Sequence, residues 1–156
     1  TTGSGNDTVD LGASDGAVDT YVFAASDTAN GQDVVSNFEG GTDKIDVSAF
    51  SSSKVEISGT PDITTTNGTV YYVTTSTAGA ADAGQSVGAA FVINLSANWS
   101  DNNAASWIVL TDNNSSAVYE FNDTAASADG VQAGELTLLA TMDGLVGFDE
   151  ILVATP

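Results

Sequence analysis

The chain has 156 residues, 42% of them hydrophobic, with 21 acidic residues against two lysines and neither arginine nor histidine. That is enough apolar material for a folded core, but a net charge of -19 excludes a nucleic-acid binder, which needs Lys and Arg to displace phosphate counterions, and it disfavours an anionic membrane surface. Cysteine is absent too, so the usual ligands of zinc and copper are missing, whereas the oxygen ligands that suit calcium are plentiful.

Lys44 and Lys54 cannot neutralise so many carboxylates between them. A chain of this charge repels itself unless divalent cations or salt supply positive charge from outside. No run of about 18 or more apolar residues occurs, so no transmembrane helix is expected. No basic segment followed by an apolar one opens the chain, so no N-terminal signal peptide is expected. Thr1 reads as an internal position, and a piece of a longer protein is expected.

Gly3-Ser4-Gly5-Asn6-Asp7-Thr8-Val9-Asp10 opens the chain. It follows the calcium-loop pattern G-G-x-G-x-D-x-U-x with Thr2 in place of the first glycine. Glycines let such a loop turn tightly and aim carbonyls inward. The aspartate adds a carboxylate, and the apolar residue two positions on faces the core of a parallel roll. The ordinary alternative is a polar turn with a solvated aspartate.

Thr8–Leu11 reads as a short strand, Gly12–Gly16 as a turn and Asp19–Phe23 as a second strand. The Asp-Thr-apolar opening recurs at Asp7 and Asp19 as an internal repeat. A loop leads to Asp33–Phe38, and the turn Glu39–Thr42 leads to Asp43–Phe50, where Ile45 and Val47 alternate with polar residues. Further strands are expected at Lys54–Ser58, Thr69–Thr75, Ala89–Leu95, Ser106–Leu110, Ala117–Phe121, Glu135–Thr141 and Asp149–Val153. Each is rich in Val, Ile, Thr, Tyr or Phe and bounded by Gly, Asn, Asp or Ser. Thr77–Gly88, rich in Ala, Gly and Ser, reads as a surface loop. The pattern predicts an all-β fold: the end of a parallel β-roll that continues into a sandwich-like or roll-like C-terminal domain.

Asp19-Thr20-Tyr21-Val22-Phe23, Gly31–Phe38 and Gly41-Thr42-Asp43-Lys44-Ile45-Asp46-Val47-Ser48-Ala49-Phe50 resemble the C-terminal end of RTX proteins, the calcium-binding β-roll substrates of type I secretion. The likeness is greatest to the region after the roll in serralysin-type secreted proteases. The family's run has Phe, Asp and Leu where this chain has Tyr21, Asn37 and Val47. Leu138–Gly144, Tyr119–Asp123 and Asp129-Gly130 resemble the tail of such substrates, and the acidic end around Asp149–Val153 fits an uncleaved export signal.

The resemblance implies calcium-dependent folding and export by the type I secretion machinery, hence a secreted, extracellular or cell-surface location. Residues 1–50 would be the last RTX turns and their cap, and residues 51–156 a C-terminal β domain with the secretion signal. Asp7 and Asp19 are the first side-chain candidates for calcium, with carbonyls near Gly3, Gly5 and Gly16. Asp27, Asp33 and Asp43 come next. No catalytic residues are expected: no histidine is present for a serine triad, and H-E-x-x-H is missing. With so many acids, neighbouring pairs such as Asp43 and Asp46 or Asp149 and Glu150 arise by chance.

The expected function is a non-catalytic, calcium-dependent tail serving export, folding and surface assembly, with self-association in a surface-layer (S-layer) or adhesin lattice. The alternatives are the secretion tail of a secreted hydrolase such as a metalloprotease or lipase, or a carbohydrate-binding module using Trp99 or Trp107. The tryptophans read more simply as core anchors. Asn-x-Ser/Thr triplets at Asn6, Asn67, Asn94, Asn98 and Asn114 reflect an abundance of those residue types.

Overall fold

The computed structural model describes residues 3–57, 63–74, 99–100, 105–112, 114–122 and 135–155. The strands in chain order are β1 (Thr8–Asp10), β2 (Thr20–Val22), β3 (Asp33–Ser36), β4 (Lys44–Asp46), β5 (Ser53–Ile57), β6 (Ile63–Thr64), β7 (Thr69–Thr74), β8 (Trp99–Ser100), β9 (Ala105–Thr111), β10 (Ser116–Asn122), β11 (Leu136–Met142) and β12 (Ile151–Leu152). One helical turn, α1 (Asp27–Asn30), precedes β3, and a 3-10 turn at Phe148–Glu150 leads into β12. The fold is all-β, a parallel roll merging into a larger sheet. The expected strand at Ala89–Leu95 and loop at Thr77–Gly88 lie outside the described residues.

The first four strands alternate between two sheets. β1 pairs in parallel with β3, Thr8 opposite Val34, and β2 pairs in parallel with β4, Tyr21 opposite Ile45. The chain therefore winds as a coil: β1 and β2 make one turn, β3 and β4 the next. Period-2 alternation turns Tyr21, Val35 and Ile45 inward to full burial, while Thr20 and Val34 stay exposed.

A third coil comes from the far end of the chain. β11 adds to β3 in parallel, Thr141 opposite Val34, and β12 adds to β4 in parallel, Ile151 opposite Ile45. Strands from both sides of residue 50 thus share each sheet. The larger sheet runs β1-β3-β11-β10-β9-β7-β5, antiparallel only where β10 meets β11 and β9. The smaller runs β12-β4-β2, and β6 with β8 forms a separate parallel pair.

The core lies between the first two sheets. Phe23, Val35, Ile45, Val47, Trp107, Leu139, Met142 and Ile151 are buried there with Val70 and Val109. Trp107 is fully buried, stacked on Phe50 with ring centroids 4.4 Å apart and edge-on to Phe23 at 5.4 Å. A second cluster, including Tyr71, Ile108, Leu110 and Phe121, covers the opposite face of the larger sheet.

Lys54 fastens the two sheets at their other margin. Its ammonium donates to the carbonyls of Phe148 (2.7 Å) and Ile151 (2.8 Å) and lies 4.5 Å from the centre of the Phe148 ring. One of the chain's two cations therefore holds main-chain carbonyls at the 3-10 turn beside β12.

Candidate functional site

The coil has two stacks of loops, one entering the larger sheet and one entering the smaller. Gly3, Gly5 and Asp7 precede β1, in line with Gly31 before β3 and Asp33 at its first position. Gly16 and Asp19 precede β2, in line with Gly41 and Asp43 before β4. The candidate residues therefore separate into two groups, and Asp7 and Asp19 stand in different stacks. Asp27 falls in α1, between β2 and β3.

Glycine is required where coils touch. Gly31 has φ +74°, and a Cβ there would run into the Gly5 carbonyl. Gly144 lies so close to Phe38 that a Cβ would strike its carbonyl oxygen.

Each coil passes carboxylates to the backbone of the coil before it. The Asp7 N–H donates to Asp33 Oδ1 (2.8 Å), and the Tyr21 hydroxyl donates to Asp33 Oδ2. The Asp19 N–H donates to Asp43 Oδ1 (3.0 Å), and the Glu39 N–H to Asp43 Oδ2 (2.7 Å). The strand ladder completes each bracket: Val34 N–H donates to the Asp7 carbonyl and Lys44 N–H to the Asp19 carbonyl. Asp33 is 1% exposed and Asp43 2%, and polar groups at that depth need hydrogen-bond partners.

The third coil repeats the device with residues that sequence reading passed over. The Asn37 and Phe38 N–H groups donate to Asp143 at 3.0 and 3.1 Å. Buried Glu150 accepts from the Gly41 N–H and from Gly147 N–H at 2.6 Å. One signal was available for it. Gly-x-Asp recurs at Gly5–Asp7, Gly31–Asp33, Gly41–Asp43 and Gly147–Asp149, and the fourth copy marks the third coil, with Glu150 taking the acceptor's place.

Asn37 occupies left-handed backbone at φ +60°, which Asn tolerates. Its amide donates to Asp10 Oδ1 at 2.7 Å. That bond, with a second from the Gly12 N–H, holds the Asp10 carboxyl below its ordinary value.

The Asp7 and Asp19 carboxylates differ from these acceptors. They belong to the coil that forms the β1 and β2 edges, each is partly exposed, and neither accepts a hydrogen bond among the described residues. Calcium prefers six to eight oxygens. Among the described residues no group of three or more His, Cys, Asp or Glu side chains converges, so an ion at either place would draw mainly on main-chain carbonyls. At Asp7 and Asp19 the carboxylate oxygens are of the type that calcium uses and face no N–H or O–H donor among the described residues. Calcium does not fit at Asp33 and Asp43, whose oxygens face N–H and O–H donors.

A cavity of about 640 Å³ adjoins the third coil, lined by Tyr72, Thr111, Asp112, Val146 and Glu150 among others. Burial raises the Tyr72 phenol above its ordinary pKa, partly offset by a hydrogen bond with Thr111 and reinforced by the charges of Glu56 and Glu150. Glu150 is already engaged by its two amides, and Asp112 Oδ1 by the Asn114 and Ser115 N–H groups. Among the described residues this cavity holds no nucleophile with a paired base.

Residues 1–109 match the family model for the Peptidase M10 serralysin C-terminal domain. The chain belongs to this family. The serralysin C-terminal domain is the non-catalytic part of secreted protease-family proteins, a β-roll region associated with calcium and type I secretion. The match covers the first two coils and reaches β9, and β11 and β12 lie beyond it. No curated protein and no solved structure matches the chain. Among the described residues no helix is long and apolar enough to cross a membrane.

Proposed function

We propose that this chain is the folding and export tail of a secreted bacterial protein, without catalysis of its own, which leaves through a type I system and folds outside the cell. The observation that carries this reading is the third coil: the C-terminal strands β11 and β12 complete both roll sheets, on a chain whose first 109 residues match an export-associated family. Residues 1–50 supply two coils, and residues 51–156 supply the closing coil together with the export signal.

Calcium enters this reading at Asp7 and Asp19, with carbonyls near Gly3, Gly5 and Gly16. When bound, it supplies positive charge to a coil whose Asp7 and Asp19 carboxylates accept no hydrogen bond among the described residues, in a chain of net charge -19. Scarce calcium inside the cell leaves the coil repelled, and abundant calcium outside stabilises it by mass action.

The family match favours a secreted metalloprotease as the parent. Assembly in an S-layer or adhesin lattice rests on acidity and Thr/Ala richness alone. A glycan-binding role through Trp107 has no accessible ring face to use, since Phe50 and Phe23 pack against it.

The test is export. A reporter fused ahead of this chain, in cells carrying a type I exporter, should reach the medium. Loss of 136–155 should keep it inside. Equal release with and without that segment would defeat the proposal.

A further inference from the structure

We propose that the closing coils of the roll are held by a cation-independent lock, in which Asp33, Asp43, Asp143 and Glu150 serve as acceptors for main-chain amides and not as calcium ligands. The inference rests on the reading of the chain as a roll-closing tail and specifies where that tail does without the ion.

Three observations carry it. First, all four carboxylates are engaged at both oxygens. Asp33 takes the Asp7 amide and the Tyr21 hydroxyl, Asp43 the Asp19 and Glu39 amides, Asp143 the Asn37 and Phe38 amides, and Glu150 the Gly41 and Gly147 amides. Second, these loops turn N–H groups toward the acids. Calcium is coordinated by oxygens at about 2.3–2.6 Å, and an amide proton, the positive end of its dipole, repels a cation placed there. A carboxylate surrounded by N–H groups has its charge balanced by the backbone, as in an anion-binding nest. Third, Asp33, Asp43 and Glu150 are nearly free of solvent contact, so six or more oxygen ligands cannot gather around them without opening the core.

Asp7 and Asp19 mark the contrast at equivalent register. Their amides feed the lock, while their own carboxylates take no hydrogen bond among the described residues. Gly5-Asn6-Asp7 and Gly31-Gln32-Asp33 share the Gly-x-Asp form, yet among the described residues only the Asp33 carboxylate accepts a hydrogen bond.

The 156-residue chain is to be melted by far-UV circular dichroism in excess chelator and in calcium, with amide hydrogen exchange measured in both. The lock predicts β-structure in chelator, with the Asp7, Asp19, Glu39 and Gly41 amides protected in both conditions. Asp33→Asn, Asp43→Asn and Glu150→Gln should melt lower in chelator. Each should still show the calcium-induced rise in Tm of the unaltered chain to within about twofold, since calcium affinity is unchanged. Asp7→Asn with Asp19→Asn should abolish that rise. Amides that are protected only in calcium would overturn the lock, as would loss of the calcium response in Asp33→Asn or Asp43→Asn. If those variants fail to fold, exchange in the unaltered chain decides. Melting that ignores calcium while the amides remain protected upholds the lock and instead removes calcium from the proposed function.

Discussion

Asp143 accepts the backbone N–H of Asn37 at 3.0 Å, 106 positions away in the chain. Its other oxygen takes the neighbouring Phe38 N–H, so a single exposed side chain caps the loop that leaves β3. Together with the parallel pairing of β11 on β3, this bond ties the third coil to the second. Closure over so long a separation carries an entropic cost that the contacts formed must exceed.

Removing the acceptor at Asp33 should be among the more damaging single changes. Asp33→Ala strips partners from the Asp7 amide and the Tyr21 hydroxyl, the latter on a buried ring. A loss of about 3 kcal/mol is expected in denaturant unfolding, with Tyr21→Phe costing about half as much. A change below about 0.5 kcal/mol for Asp33→Ala would mean that the bracket contributes little.

Gly31 and Gly12 separate backbone strain from close packing. Both have positive φ, but nothing lies within 4 Å of a Cβ at Gly12, whereas one at Gly31 meets the Gly5 carbonyl. Gly12→Ala should cost about 1 kcal/mol, the strain by itself. Gly31→Ala should cost at least twice that, because two coils must move apart. Equal losses in thermal melts would show that the coils do not touch there.

Lys54→Met keeps the aliphatic stem over Phe148 while removing two hydrogen bonds and the cation above the ring. A loss of about 1–3 kcal/mol is expected, accompanied by faster amide exchange in β12 than in β3. Ile151→Ala, at a side chain 1% exposed between β12 and the core, should cost roughly 2–5 kcal/mol and loosen the same segment.

Tyr119 sets a limit on alkaline stability. Burial pushes its phenol up to about 12 from 10.0. A raised folded-state value means that the unfolded chain loses this proton first. The contribution is intact below about pH 10 and disappears as pH climbs from there toward 12. A rise of that size is worth roughly 3 kcal/mol. Tyr119→Phe should therefore shift the midpoint of alkaline unfolding upward, and an unmoved midpoint would assign the transition to another group.

Much of the architecture can be read locally. The alternation at Tyr21 and Phe23 and at Ile45 and Val47 marks their strands, and each of these residues is buried. The expected strand Ser106–Leu110 lies within β9, and Ala117–Phe121 within β10. Short elements escape such a reading. α1 is four residues long and β6 and β8 are two each, too short for any period to register. Asp149–Val153 divides into a 3-10 turn and a two-residue strand because Glu150 turns back to the Gly147 amide.

The sequence by itself determined the all-β class, the oxygen-only chemistry and the Gly-x-Asp punctuation, because alternation, composition and turn glycines are local properties. Only the tertiary structure decided which aspartates face amides and which, among the described residues, do not. Gly5-Asn6-Asp7 and Gly31-Gln32-Asp33 have the same local form. One contributes an amide and the other a carboxylate to the same hydrogen bond, a difference set by position in the stack of coils. The third coil is likewise a tertiary fact, since β11 and β12 find β3 and β4 across about a hundred intervening residues, and no nearest-neighbour pattern encodes that pairing.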